Sequence, residues 1–212
     1  MDLWQPDFCG INPWGVKMKK RDQEYIVRLF PAIKKIKDPE LRQKVIHLWY
    51  KAWKRSNFPH IEQGHQFEPA RDRLSYTNVD HTNQVCRLCE ELGKVLAEML
   101  NLPLNMDILL AGAVLHDVDK MVIFDAKTGG FTETGRRFAH AAMGAAMALA
   151  EGLPEEVAHI ISAHSPRFSA IPPSSVEALI LRHLDHVTAA SVYLARGLDM
   201  DKVLAASLAR IR

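Results

Sequence analysis

The sequence predicts an all-α fold, a helical bundle preceded by an N-terminal helical arm. Apolar residues recur at helical spacing along most of the chain, and helix-start signals precede several of these segments. No segment alternates apolar and polar residues as a half-buried β-strand does. With 212 residues, of which 48% are hydrophobic and 25% charged, the chain is long enough for one domain with a substantial core.

Residues 1–75 form the predicted arm and loop, which we expect to pack on the core. A helical pattern over residues 22–36 contains Pro31, which should bend or interrupt the helix. Asp38 and Pro39 then signal a new helix, as N-cap and first helical residue. The polar loop over residues 56–76 is long enough to be functional, and one of its histidines, His60 or His65, is a candidate lid over a site.

Residues 76–212 form the predicted main domain, which is almost continuously helical. Asn105 should cap a nearly all-apolar helix, and a helix that is apolar on every side belongs at the centre of a fold. The other expected helices cover residues 79–100, a small-residue segment capped by Thr134 and ending at Gly152, residues 154–164, a long segment from Ser174 or Ser175 to Gly197, and a short one capped by Asp199.

The central apolar helix ends in His116, Asp117, Asp119 and Lys120. Isolated polar groups in an apolar setting lose about 2–7 kcal/mol each, so these side chains need partners. A histidine–aspartate pair alone is more often an ordinary helix end than an active site.

Other potential metal ligands stand on the neighbouring predicted helices, one on each. Imidazole and carboxylate groups spread over successive helices form the ligand inventory of a two-metal site in a bundle core. This donor set suits iron, manganese, cobalt, nickel or zinc, and the lack of a thiolate argues against a structural zinc site. The ordered set is His81, His116, Asp117, His140, His164 and Asp185.

The pattern H…HD…H…H…D over residues 76–197 resembles the HD-domain metal-dependent phosphohydrolase superfamily. It is similar to the two-metal branch, which includes HD-GYP cyclic-di-GMP phosphodiesterases, diadenosine tetraphosphate hydrolases and mixed-valence di-iron oxygenases. The resemblance implies two divalent metal ions. Iron and manganese are the first candidates, and cobalt, nickel and zinc are the alternatives. It implies that one ion is held by His81, His116 and Asp185 and the other by His140 and His164, with Asp117 bridging.

The resemblance also implies the catalytic residues. Asp117 bridges the metals, and Lys120 stands where the family motif H-D-x-G-K has a lysine that assists phosphate binding. We expect Lys120 to reach past the metals toward a phosphate. Asp119 replaces the motif's glycine, which leaves the local turn geometry open and adds a carboxylate near the site. Further candidate phosphate contacts are Arg136, Arg137 and Arg167, whereas His159, His183 and His186 should face away from the ligands.

The implied function is a metal-dependent phosphohydrolase that acts on a small phosphorylated substrate, a nucleotide or dinucleotide, through a metal-bridging hydroxide. No G-Y-P signature follows the motif, which counts against the cyclic-di-GMP branch. Two alternatives remain open at this point. One is a mixed-valence di-iron oxygenase of the same fold, and the other is a non-catalytic module in which metals only brace the bundle.

Composition predicts a cytoplasmic protein without a membrane segment. The apolar run over residues 108–115 is far shorter than the ~20 residues of a membrane helix, and no secretory signal begins the sequence. Its three cysteines are expected to be reduced thiols. A net charge of +2 indicates no strong attraction to nucleic acid, and the expected partners are the small substrate and, in a homodimer, a second copy of the chain.

Overall fold

A computed structural model describes residues 18–66, 75–165, 169 and 171–202. Within this part of the chain all regular secondary structure is helical, which confirms the all-α prediction, and extended pairing is limited to isolated bridges. The helices are α1 (Lys20–Leu29), α2 (Pro39–Arg55), α3 (Asn78–Leu100), α4 (Met106–Leu115), α5 (Lys120–Ile123), α6 (Glu133–Arg137), α7 (His140–Ala150), α8 (Glu155–Ala163) and α9 (Val176–Ala195), with 3₁₀ turns at Pro31–Lys35 and Ile61–Gln63.

The arm begins as its sequence predicts. α1 ends before Pro31, which opens the first 3₁₀ turn because proline cannot donate the next helical hydrogen bond. Asp38 caps α2, and its Oδ1 accepts from the backbone amides of Glu40 at 2.8 Å and Leu41 at 3.1 Å. The predicted bend and the predicted helix start are therefore both confirmed.

The arm and the main bundle share one core. Phe30 stacks on Trp49 with ring centroids 4.3 Å apart, and the indole nitrogen of Trp49 donates to the carbonyl oxygen of Val114 in α4 at 3.0 Å. Side chains of α1 and α2 belong to the same buried apolar cluster as those of α4. The arm thus packs on the core, while the boundary at residue 76 stays a prediction.

α4 is the central helix. Every residue from Leu109 to Leu115 is buried, and the helix packs against α2, α3, α8 and α9. Asn105 caps it by accepting from the amides of Asp107 at 3.1 Å and Ile108 at 3.2 Å. Residues 116–119 then form a turn before α5 begins, so the side chains that follow α4 lie in the middle of the bundle.

Gly112 allows α4 and α8 to approach closely. A Cβ atom there would lie 2.5 Å from Cγ2 of Ile160, far inside van der Waals contact. We expect Gly112→Ala to destabilise the fold, because overpacking costs about 1–3 kcal/mol and the better helix propensity of alanine offsets only about 1 kcal/mol of this. Thermal and urea denaturation measure the loss.

Ile160→Ala supplies the control for this prediction. It removes the Cγ2 atom, so Gly112→Ala should cost clearly less in the Ile160→Ala background than in the wild type. An equal cost in both backgrounds would show that the destabilisation does not arise at this contact.

The segment after α5 differs from the prediction. Thr132, not Thr134, is the capping residue: its hydroxyl accepts from the amide of Gly135 at 3.1 Å and donates to the carbonyl of Val122 at 2.7 Å. The helix that it begins, α6, ends at Arg137, and α7 starts separately at His140. Two extended residues, Phe138 and Ala139, separate the two helices. The apolar periodicity of the sequence did not indicate this break.

None of the helices within the described residues combines the length and the apolar character needed to cross a bilayer.

Candidate metal centre

The six predicted ligands meet at the centre of the bundle. His81 lies in the first turn of α3, His116 and Asp117 follow α4, His140 begins α7, His164 follows α8, and Asp185 lies within α9. A capping box between Thr77 and Asp80 sets the start of α3 and thereby the position of His81. The side chains of all six are at most 15% exposed.

Four donor atoms face one another on one side of Asp117. The Nε2 atom of His81 lies 2.8 Å from Oδ1 of Asp185 and 3.6 Å from Oδ2 of Asp117. The Nε2 atom of His116 lies 3.3 Å from the same Asp117 oxygen and 3.7 Å from Asp185. His81, His116 and Asp117 therefore form one group that can hold a cation, and the carboxylate of Asp185 lies beside both of its imidazoles.

A second group faces the other oxygen of Asp117. Its Oδ1 lies 3.0 Å from Nε2 of His140 and 3.8 Å from Nε2 of His164, and the two imidazole nitrogens are 3.2 Å apart. Each carboxylate oxygen of Asp117 thus lies near a different pair of imidazoles. This is the geometry required of a carboxylate that bridges two metal ions.

All four imidazoles present the same nitrogen to the centre, because the other one is engaged elsewhere. Nδ1 of His116 donates to the carbonyl of Ala113 at 2.8 Å, and Nδ1 of His164 donates to that of Ile161 at 2.6 Å. The phenol of Tyr76 donates to Gln84 and so accepts from Nδ1 of His81 at 3.1 Å. Metal-binding histidines almost always donate their second N–H in this way, which leaves the Nε2 lone pair for the metal.

Nδ1 of His140 is held by Asp119, the residue that replaces the motif's glycine. The Oδ2 atom of Asp119 lies 2.9 Å from that nitrogen, and Asp119 is fully buried. A carboxylate behind a histidine orients the ring and makes it a more basic ligand. The question that the sequence left open at this position therefore has a structural answer: Asp119 adds a carboxylate behind a ligand.

The charges of the centre favour cations. Burial would raise the pKa of Asp117, but Lys120 and His116 outweigh it and hold this pKa well below its usual range. Burial likewise opposes ionisation of Asp185, and the close contact with the imidazole of His81 outweighs it and keeps this pKa low. Both carboxylates are ionised near neutral pH as a result.

The histidines divide into two kinds. Burial lowers the pKa of His164 to about 4, with His140 adding to the effect, so His164 is neutral at pH 7. Burial also disfavours the cationic form of His140, but Asp119 and Asp117 outweigh it and raise this pKa to about 9.

Nε2 of His116 is buried without a hydrogen-bond partner among the described residues. A cation at the centre would satisfy this nitrogen, so the residues present fit a metal.

Lys120 lies closer to the ligands than expected. Its Nζ atom is 2.7 Å from Oδ2 of Asp117, and the residue is buried, whereas the sequence placed it beyond the metals. Asp117 and Lys120 are three positions apart across the turn before α5, and this turn brings the ammonium group back toward Asp117.

Sequence reasoning missed three polar residues around the centre. The amide nitrogen of Gln66 donates to Oδ2 of Asp117 at 3.2 Å, and that of Asn78 donates to the backbone oxygen of Asp117 at 3.2 Å. Tyr76 is the partner of His81. The loop after α2 does reach the centre, but through Gln66: His60 is exposed, and the ring of His65 packs on Phe58.

The remaining candidates, where the structure describes them, make their contacts outside the set of six predicted ligands. Arg136 and Arg137 are exposed on α6, where they donate to the carbonyl of Phe131 and to Glu133. Arg167 lies outside the described residues. His183 and His186 are exposed on α9, and His159 accepts from the amide of Ser174, so these three histidines face elsewhere, as expected.

Comparison with known proteins agrees with this geometry. The family model described as HD domain matches residues 78–190, more than half of the chain. This chain belongs to the HD-domain family. All six predicted ligands of this HD domain lie inside the matched segment, whereas the arm and Gln66 lie before it.

One curated relative is the dihydroneopterin 2',3'-cyclic phosphate phosphodiesterase of Methanocaldococcus jannaschii. It is 29% identical over an alignment of 166 residues, and the match covers 74% of this HD-domain chain and 66% of the relative. The match thus spans just under two thirds of the relative's length. No solved structure matches the chain significantly.

Proposed function

We propose that this HD-domain protein is a metal-dependent phosphohydrolase that cleaves a small phosphorylated compound, with a cyclic phosphate diester as the first candidate. The observation that carries the proposal is the position of Asp117, whose two oxygens face two separate pairs of imidazoles. A pair of cations bridged by one carboxylate is a recurrent arrangement in phosphoester hydrolysis.

The residues of the chain would divide the work as follows. His81, His116 and Asp185 would hold one cation, His140 and His164 would hold the other, and Asp117 would bind both. When bound, two such cations polarise a phosphoryl oxygen and lower the pKa of a water molecule. The hydrogen bonds on the four Nδ1 atoms keep the imidazoles oriented, and the apolar core excludes bulk water from one side of the centre.

The substrate class rests on the curated relative. A 2',3'-cyclic phosphate diester is the compound in its name. We infer a small cyclic phosphate of similar chemistry, carried by a nucleoside or by a comparable ring compound, for this chain. A nucleoside 2',3'-cyclic phosphate would belong both to this class and to the nucleotides expected from the sequence.

The test is a metal reconstitution followed by a substrate panel. Purified protein loaded with Mn²⁺, Fe²⁺, Co²⁺ or Ni²⁺ is incubated with 2',3'-cyclic phosphates, phosphomonoesters, dinucleoside polyphosphates and cyclic dinucleotides, and ³¹P NMR follows the products. We expect a cyclic phosphate to open to a monoester and the activity to vanish with a chelator. Cleavage of none of these compounds, or oxygen uptake in their place, would contradict the proposal.

Lys120 is proposed to contact the substrate phosphate. We expect Lys120→Met to lower kcat/KM by about 10–100-fold, because hydrogen bonds to charged groups are worth roughly 1.5–3 kcal/mol. Metal content should not fall, since the change removes a positive charge beside the cations. Steady-state kinetics and elemental analysis measure the two quantities, and a variant that loses metal and activity together would assign Lys120 to the metal scaffold instead.

Arg136, Arg137 and Arg167 remain proposed phosphate contacts. Arg137 lies in an exposed ion pair with Glu133, a contact of a type worth about 0–1 kcal/mol. Such a weak contact leaves the guanidinium available to an anionic substrate at little cost.

A further inference from the structure

A cavity of about 620 Å³ lies beside the metal centre, between the loop after α2, the residues just before α3, the segment after α5 and the end of α9. This size is typical of small-molecule sites, which usually measure about 300–1,000 Å³. The described residues that line it include three aromatic side chains, Phe58, Tyr76 and Tyr193, and three amide side chains, Asn57, Gln63 and Gln66.

Two of the lining residues also belong to the surroundings of the metal ligands. Gln66 donates to Asp117, and Tyr76 accepts from His81. A molecule in the cavity can therefore contact two side chains, Gln66 and Tyr76, that in turn contact Asp117 and His81. The cavity is placed to hold the part of a substrate that does not react.

The amide group of Gln66 points its oxygen away from Asp117. A carboxylate only accepts hydrogen bonds, so the amide nitrogen must face Asp117 and Oε1 must face the other way. Gln66 is only 4% exposed, and its Oε1 atom has no hydrogen-bond partner among the described residues. A buried acceptor of this kind requires a donor, and a ligand in the cavity can supply one.

The charges of the cavity suit a neutral ligand group. Lys127 is the cation among its described lining residues, and the carboxylate of Glu62 offsets it. Glu62 in turn accepts from the phenol of Tyr25. The phosphate of a substrate is better placed at the metal ligands, and the aromatic and amide side chains remain for an uncharged ring.

We propose that this cavity binds a flat nitrogen heteroaromatic ring of the substrate, with a ring N–H or amino group donating to Oε1 of Gln66. This proposal rests on the proposed function in one respect, the position of the substrate phosphate at the metal ligands. The ring site itself is inferred from the cavity alone. Aromatic side chains stack on such rings, and amide side chains pair with the donors and acceptors on their edges. Purines and pteridines share this chemistry.

Binding without phosphate tests the ring site independently of catalysis. The holoenzyme is titrated by calorimetry with guanosine, with neopterin and with ring-free glycerol. We expect one of the two ring compounds to bind and glycerol not to bind, and the tighter ring compound identifies the purine or pteridine source. If neither ring compound binds, the proposal is overturned.

A blocking variant with a matched control locates the binding. Ser75 is exposed and lines the cavity, whereas Ser191 is exposed on α9 outside it. Ser75→Trp should weaken ring binding by at least about tenfold, since stacking contributes on that scale, and Ser191→Trp should not change it. Equal effects of the two variants would contradict the proposal. Ala126→Trp fills the cavity from another side if Ser75→Trp does not fold.

Kinetics separate this proposal from the proposed function. The kcat/KM for guanosine 2',3'-cyclic phosphate, divided by that for glycerol 1,2-cyclic phosphate, should fall at least about tenfold in Ser75→Trp. An unchanged ratio overturns the ring site. If no compound is cleaved at all, the proposed function fails while the calorimetry still decides on the ring site.

Discussion

Replacing Asp117 with asparagine is expected to reduce phosphoester hydrolysis by roughly 10³-fold or more, since changes behind the ligands alone cost about 10–100-fold. Each oxygen of Asp117 serves a different pair of imidazoles. Asparagine offers one neutral oxygen and an N–H₂ group that repels a cation, so no rotamer restores both contacts. The second position, with His140 and His164 as its other ligands, loses its anionic ligand entirely.

Metal analysis and folding controls accompany this variant. Elemental analysis should give fewer than two metal ions per chain, with the position of His140 and His164 emptied first because Asp185 still serves the other one. Asparagine keeps a hydrogen-bond acceptor beside Lys120, which limits the loss of stability that removal of a buried partner brings. Asp201→Asn, an exposed change of the same kind, should behave as wild type. Full metal content with wild-type activity in Asp117→Asn would refute a bridging role.

Replacing Asp119 with asparagine should weaken metal binding at the position of His140 and His164 by about 10–100-fold. The carboxylate behind His140 orients the ring and increases its basicity through a 2.9 Å hydrogen bond, and a neutral amide does this less well. The other position, with His81, His116 and Asp185, should keep its affinity. Calorimetric metal titrations should then resolve one tight and one weakened site.

A double-mutant cycle gives this prediction its control. In a His140→Ala background the ring that Asp119 orients is gone, so Asp119→Asn should cause no further loss of metal affinity. Equal losses with and without His140 would indicate that Asp119 supports the fold in general. Asp119→Gly, which restores the family motif, should lower the affinity of the second position at least as much as asparagine.

Much of the metal centre could be predicted because its ligands are ordered along the chain. Helical periodicity placed His81, His140 and Asp185 on separate helices, and cap signals such as Asn105 and Asp38 marked where helices begin. The apolar character of α4 on all sides located His116 and Asp117 at the centre. These are local properties, which propensity and spacing describe well.

The residues behind the ligands could not be found in the same way. Gln66 contacts Asp117 across 51 positions of sequence, and glutamine in a polar loop carries no local signal of such a contact. Asp119 and Lys120 lie in and after a turn, where side-chain directions follow the backbone of that turn and not a helical period. The direction of Lys120 toward Asp117 is a tertiary result for this reason.

The hydrogen bond between Trp49 and Val114 joins the arm to α4, the helix that His116 and Asp117 follow. That arm precedes residue 78, where the match to the HD-domain family model begins. Gln66, which precedes it as well, reaches the bridging carboxylate itself. A fragment cut at residue 78 would therefore keep every predicted metal ligand but lose two contacts, that of Trp49 with the central helix and that of Gln66 with Asp117.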